Sequence, residues 1–427
     1  MNIFVILFAL YILAPKIDLI ALFGSGIRLE DFISLVAAAL YFIQKRRHPI
    51  PFPKFVRLYL LFVGVSYLSA AYNYGDTGFA GFLFATRLLQ YMIWFFIMYE
   101  ACFSVSRINL RRIIMGVSVV FLLWGGLEYF GLIGRVGKFT GAAERLTINT
   151  SGPFETSVML AILAYAVPSL LLTPFMAVLV FLTQARITLL GVVVSLAAAR
   201  PVRAALIGIV GGTLFFTVAQ PVFSAFEESR LARSDSPLEM AESLESAWDR
   251  VPVIHDPAVF RHRFLSGNSA DLFQFVAASG DDLSFRYRAV RWPMVIKATL
   301  FNSVTHVAIG WGPSAWGPAI DSYYVRTLGE TGLIGLGLLG LWLFACYRET
   351  RIHSTANFAV VTMIVVGFFI DIFTSSKAMP LLWAFLALEF ARHPFSMPFA
   401  RRPVFGSRAI RRRPMLPAPV TSGMRRG

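Results

Sequence analysis

The chain has 427 residues, 57% of them hydrophobic and 15% charged, with a mean hydropathy of +0.66; this excludes an ordinary soluble domain and implies a helical protein of many membrane spans. Its net charge of +15 sits in short links between apolar runs and in the tail, so it reads as a topology signal and excludes nucleic acid as the natural partner. The two cysteines, Cys102 and Cys346, fall within predicted spans, which leaves neither a disulfide framework nor a thiolate metal cluster.

About 20 apolar residues in a helix cross a hydrocarbon core of roughly 30 Å. On that measure the first spans run from Asn2 to Leu22 and from Asp31 to Ile43, separated by a charged turn, Arg28-Leu29-Glu30-Asp31, in which Asp31 is a candidate N-cap. The first lacks a basic n-region and a cleavage site, so it reads as a permanent span. The link QKRRHPIPFPKFVR, with Lys45, Arg46, Arg47, Lys54 and Arg57, marks the cytoplasmic side. Spans follow over Leu58 to Ala71, Gly78 to Phe103 and Ile113 to Leu132, then an external loop containing Arg145 and a sixth span to about Leu172.

The next run, TPFMAVLVFLTQARITLLGVVVSLAAAR, is too long for one span and carries Arg186 at its centre. A charge at a bilayer midplane costs at least about 2.5 kcal/mol, so a re-entrant pair of short helices that brings Arg186 to the outer surface is cheaper. A span over Ala204 to Ala219 then leads outward, completing an N-terminal bundle (1–220), and 221–322 becomes one large, partly helical external segment. Within it, Ser236-Pro237 and Asp282 or Ser284 are helix-start signals. Three spans, Tyr323 to Tyr347, Asn357 to Phe373 and Ala378 to Ala391, return the chain inside, where the Pro- and Arg-rich tail (392–427) reads as disordered. The expected fold is therefore an all-α integral membrane protein of about 12 crossings, positive inside, with a large periplasmic loop.

Chemistry concentrates between Asp281 and Leu336. Arg288, Arg291 and Trp292 share one helix face, suited either to an anionic glycan or lipid group or to an interfacial anchor. Arg186 needs a partner, a protein carboxylate or a ligand phosphate. Arg87 and Glu128 lie in spans and can pair with each other. Asp321 precedes a helix and serves either as its N-cap or as a general base. Glu330 competes for the base role, although Arg326, four residues earlier, makes a salt bridge the simpler reading. No nucleotide or metal-ligand spacing is present, so no cofactor is expected and an activated substrate must drive any reaction.

The segments RLEDFISL, GPFETSVML, TQARITLLG, SFRYRAVRW, GWGPSAWG and DSYYVRTLGETGLIGL, in that order, resemble the O-antigen ligase and repeat-unit polymerase superfamily of bacterial envelope glycan assembly. The resemblance covers most of the chain. It implies that Arg186 and Arg288, helped by Arg291 or Arg145, neutralise a polyprenyl-pyrophosphate leaving group, and that Asp321 deprotonates a sugar hydroxyl, with Trp292, Tyr324 and Glu330 in the substrate site. Two departures matter: Ala185 replaces a usual serine, and Asp321 stands where ligases carry histidine, which resembles the polymerases. The implied activity is metal-independent, inverting polymerisation of lipid-linked repeat units at the outer face of the bacterial inner membrane, with a chain-length regulator as a possible partner. A ligase of the same fold, or a transporter of lipid-linked glycans, is the alternative.

Overall fold

The computed structural model describes residues 2–22, 25–44, 48, 51–134, 145–150, 152–167, 169, 172–183, 185–199, 237–261, 275, 283–317 and 320–392. Among them the architecture is helical apart from one short antiparallel hairpin, β1 (Asp18–Leu22) with β2 (Ser25–Arg28). The helices are α1 (Ile3–Leu13), α2 (Leu29–Ile43), α3 (Lys54–Tyr72), α4 (Tyr74–Ser104), α5 (Arg107–Tyr129), α6 (Pro153–Ala166), α7 (Leu172–Leu182) and α8 (Arg186–Ala199). There follow α9 (Pro237–Arg250), α10 (Pro257–Phe260), α11 (Leu283–Leu300), α12 (Val304–Ile309), α13 (Tyr323–Glu349), α14 (Thr355–Gly367) and α15 (Ala378–Arg392). Four of these, α3, α4, α5 and α13, are long and apolar enough to cross a membrane, and α1, α6, α7, α8, α14 and α15 are shorter apolar helices. That is the make-up of a helical membrane protein. The run containing Arg186 does break into two short helices, α7 and α8. The predicted span from Ala204 to Ala219 and the basic tail lie outside the described residues.

Helix starts follow local chemistry. Side chains of Asn2 and Ser354 accept hydrogen bonds from Phe4 N (2.9 Å) and Asn357 N (3.1 Å), satisfying first-turn donors of α1 and α14. Asp31 does not cap α2 from outside: the helix begins at Leu29, and the Asp31 carboxylate reaches back to Arg28 N at 2.8 Å from inside the first turn.

Between apolar helices in lipid, burial from water supplies little drive, so close packing must hold them. Helices α3, α4, α13 and α15 meet on an aromatic cluster in which the Tyr59 ring lies 4.8 Å from both Trp342 and Trp383. A second core, outside the helices of membrane-spanning length, gathers Phe260, Met294, Val295, Trp311 and Trp316. Here Lys297 Nζ donates to the carbonyls of Trp248 and Val251, closing the C-terminal end of α9 onto α11.

The two cores are joined at a break in α13. Gly332 has φ 66°, which only glycine adopts freely, and the break releases carbonyls of the preceding turn. The segment after α12 satisfies them: Trp311 N and Gly312 N donate to Gly329 O and Glu330 O at 2.9 Å each, and the Ser69 hydroxyl of α3 lies within hydrogen-bond distance of both Ile309 O (2.5 Å) and Glu330 O (2.8 Å). The approach is so close that a Cβ on Gly332 would overlap the Ala308 carbonyl. Gly332→Ala is therefore expected to cost about 2 kcal/mol or more, from positive-φ strain and from this overlap, read as a lowered unfolding midpoint of the detergent-solubilised protein. A variant melting with wild type would show that the break is dispensable.

Candidate active site

Three hydrogen bonds fix the segment leading into α13. Glu330 Oε1 accepts from Ser314 N at 2.9 Å, Arg326 Nη2 donates to Gly317 O, and Trp292 Nε1 donates to Ile320 O at 3.0 Å. The segment needs such support because Ser314, Gly317 and Asp321 all have positive φ (73°, 76° and 59°). Asp321 is not the N-cap of α13. Ser322 takes that place, its hydroxyl accepting from Val325 N at 3.4 Å, which leaves Asp321 one residue outside the helix and its carboxylate uncommitted to the first turn.

That carboxylate faces arginine. Asp321 Oδ2 lies 4.0 Å from Arg288 Nε, with the Arg288 side chain 10% exposed and that of Asp321 39% exposed. Arg291, one turn further along α11, rests over the Tyr287 ring at 4.8 Å. Burial lowers its pKa from the ordinary guanidinium value, and the nearby Asp321 charge opposes that fall. An accessible carboxylate is thus held beside two guanidiniums of one helix face, the arrangement needed to bind an oxyanion and accept a proton at one place.

Behind Asp321 lies a second cluster, read in the sequence only in part. Arg326, buried in the first turn of α13, pairs with Glu330 (3.5 Å) and with Asp371 (3.2 Å). The Arg326–Glu330 pair is the one the spacing predicts, and Glu330 is spent on Arg326 and Ser314. Asp371 was missed. It follows α14, in an apolar stretch that reads as span, and the charges acting on it include Arg326, Asp321 and Arg288.

The other sequence-derived candidates lie as follows. Among the described residues no ion pair joins Arg186 to Asp321. Arg186 opens α8, which runs antiparallel to α14, with Ser195 Oγ 2.8 Å from Thr362 Oγ1 and Gly191 against Thr362 and Val366. That register puts Arg186 toward the end of α14 from which the chain turns to Asp371. Arg145 donates from Nε to Thr183 O (2.9 Å) and lies over the Phe154 ring, tying its loop to the turn before Arg186. Trp292 supports the Asp321 segment, and Tyr324 donates its hydroxyl to Ile364 O (3.0 Å), joining α13 to α14. Glu128, matched with Arg87 by position, instead accepts from the backbone N–H (2.7 Å) and hydroxyl (3.1 Å) of Thr147.

The turn that carries Asp371 is anchored at its far end by buried charge. Lys377 Nζ lies 3.2 Å from Glu30 Oε2, and Glu155 binds Lys16 at 3.0 Å and the Ser375 hydroxyl at 2.5 Å. Among the described residues no group of three or more His, Cys, Asp or Glu side chains is placed to hold a metal ion. No family model, curated protein or solved structure matches the chain.

Proposed function

We propose that the chain is a glycosyltransferase of the bacterial inner membrane, of about 12 crossings with its site on the periplasmic face, that polymerises polyprenyl-pyrophosphate-linked repeat units. The observation that carries this reading is the Arg288–Asp321 juxtaposition at 4.0 Å, with Arg291 on the same helix face. A carboxylate alone could be a cap or a packing group. Held 4.0 Å from the Arg288 guanidinium with its side chain 39% exposed, it matches a reaction in which a neutral hydroxyl loses a proton while an anion leaves.

In the proposed step the acceptor sugar hydroxyl attacks the anomeric carbon of the donor glycan. Asp321 takes the hydroxyl proton as the new C–O bond forms, the bond from that carbon to pyrophosphate breaks, and the polyprenyl pyrophosphate departs with the electron pair. Arg288 and Arg291 stabilise the charge growing on the leaving phosphate. One displacement inverts the anomeric centre, and the proton held on Asp321 passes to solvent. The apolar helices hold the site at the bilayer surface, where both lipid-linked substrates lie.

The test is the purified protein in liposomes with a polyprenyl-pyrophosphate-linked repeat unit as the sole substrate. A ladder of longer lipid-linked glycans supports the polymerase. Transfer only once a different lipid acceptor is added would mean a ligase, and movement of the unextended substrate across the bilayer would mean a transporter. Arg288→Ala is expected to lower the polymerisation rate by about 10²- to 10³-fold, the usual loss when one electrostatic stabiliser is removed, while Arg288→Lys keeps the charge but not the fork and falls between. An alanine variant within threefold of wild type would remove Arg288 from the mechanism.

A further inference from the structure

We propose that Asp371 is a positioning residue of the transfer site, acting through Arg326 to hold the segment that presents Asp321. This rests on the glycan-transfer reading above. The argument begins with the Arg326 guanidinium, whose side chain is only 4% exposed and whose three nitrogens are divided among three tasks. Nε faces Glu330 at 3.5 Å, Nη1 faces Asp371 at 3.2 Å, and Nη2 donates to the Gly317 carbonyl. Gly317 stands four residues before Asp321 in a stretch with positive φ at Gly317 and Asp321. The planar fork is rigid, so fixing one edge of it fixes the others.

Asp371 can hold that edge because its own backbone is held. Its carbonyl accepts from Thr374 N (3.1 Å) and Thr374 Oγ1 (2.8 Å), the Thr374 carbonyl accepts from the Tyr91 hydroxyl (3.0 Å), and Ser375 is tied to Glu155. The chain of contacts therefore runs from α4 and α6, through the turn between α14 and α15, to Arg326 and on to the Asp321 segment. Asp371 Oδ2 serves Arg326, while Oδ1 is buried with no hydrogen-bond partner. A carboxylate is retained at that cost where its charge has a use, here to orient a buried cation. A misplacement of about 1 Å at a reacting group costs on the order of 10²-fold in rate, so a loose Arg326 registers in turnover even though Asp371 itself touches no substrate.

The experiment is steady-state polymerisation by wild type, Asp371→Asn, Arg326→Gln and the double variant in liposomes. Asp371→Asn keeps the shape, and Glu330 still neutralises Arg326, so the variant is expected to fold. Its kcat is expected to fall at least tenfold with the KM for the lipid-linked donor within twofold of wild type, and the double variant should be no slower than Arg326→Gln alone. If Asp371→Asn fails to fold, the double variant, which removes both charges, still carries the comparison with Arg326→Gln. Wild-type kcat in Asp371→Asn, multiplicative losses in the double variant, or a loss confined to KM would each overturn the proposal. No polymerisation by wild type would instead overturn the function on which it rests.

Discussion

Asp321→Asn is expected to reduce glycan transfer by about 10²- to 10⁴-fold, the range a general base contributes, while the protein stays folded and binds its donor. The structure makes this substitution a clean one. Ser322, not Asp321, caps α13, so no helix start is lost. Asparagine shares with aspartate a tolerance for the left-handed backbone that Asp321 adopts at φ 59°, so no new strain is added. The carboxylate is 39% exposed and stands 4.0 Å from Arg288, a distance beyond a direct hydrogen bond, so its charge is loosely paired. What disappears is the proposed proton acceptor. Asp321→Ala removes the same group and adds about 1 kcal/mol of backbone strain, so it should be as inactive and measurably less stable. The measurement is the initial rate of ladder formation together with donor retention on the liposomes. A rate within tenfold of wild type for the asparagine variant would end the case for Asp321 as base.

The juxtaposition of Arg288, Arg291 and Asp321 in the candidate site was legible because their charges stand in a polar stretch beside a membrane entry point, where spacing along a helix says which side chains share a face. The part supplied by Asp371 was not, although the criterion that singled out Arg186 applies to it: a charge inside an apolar run is costly and needs a reason. Asp371 and Lys377 sit in the run from Asn357 to Ala391 as Arg186 sits in its own, and Glu30 lies in a turn that reads as surface. The sequence offered Arg326 one partner because i,i+4 spacing is visible locally; its second, 45 residues on, is brought by the turn between α14 and α15. The roles of Trp292 and Tyr324 also required the fold, since both spend their polar atoms on backbone carbonyls, at Ile320 and Ile364. Helical, apolar, membrane-type character followed from composition. The break at Gly332 did not, because a glycine in an apolar helix more often marks a close helix contact than a change of backbone direction.

Lys377→Met is expected to be the most destabilising single substitution at this end of the molecule. Lys377 and Glu30 are both fully buried, with side-chain exposure of 0%, and face each other at 3.2 Å. Lys377 Nζ also donates to Tyr11 O at 2.7 Å and lies over the Tyr11 ring. The nearest other cation in an ion pair with Glu30 is Arg28, at 3.8 Å. Removing the lysine leaves a buried carboxylate poorly compensated, a loss of about 3–5 kcal/mol in such settings, whereas removing both partners is often close to neutral. Lys377→Met/Glu30→Gln should therefore recover most of the unfolding temperature that the single variant loses, measured in detergent by tryptophan fluorescence. A double variant no more stable than the single one would mean that Lys377 matters for its contacts with Tyr11 and not for its charge. The same turn bears on the proposed transfer. Lys377 N donates to Glu155 Oε1 at 3.2 Å, and that oxygen also takes the Ser375 hydroxyl, so Glu155 holds the far end of the turn whose near end is Asp371, beside the Lys377–Glu30 pair. If the turn positions Asp321 through Arg326, the rescued double variant should regain stability and polymerisation together, because the backbone that holds Asp371 returns to its place.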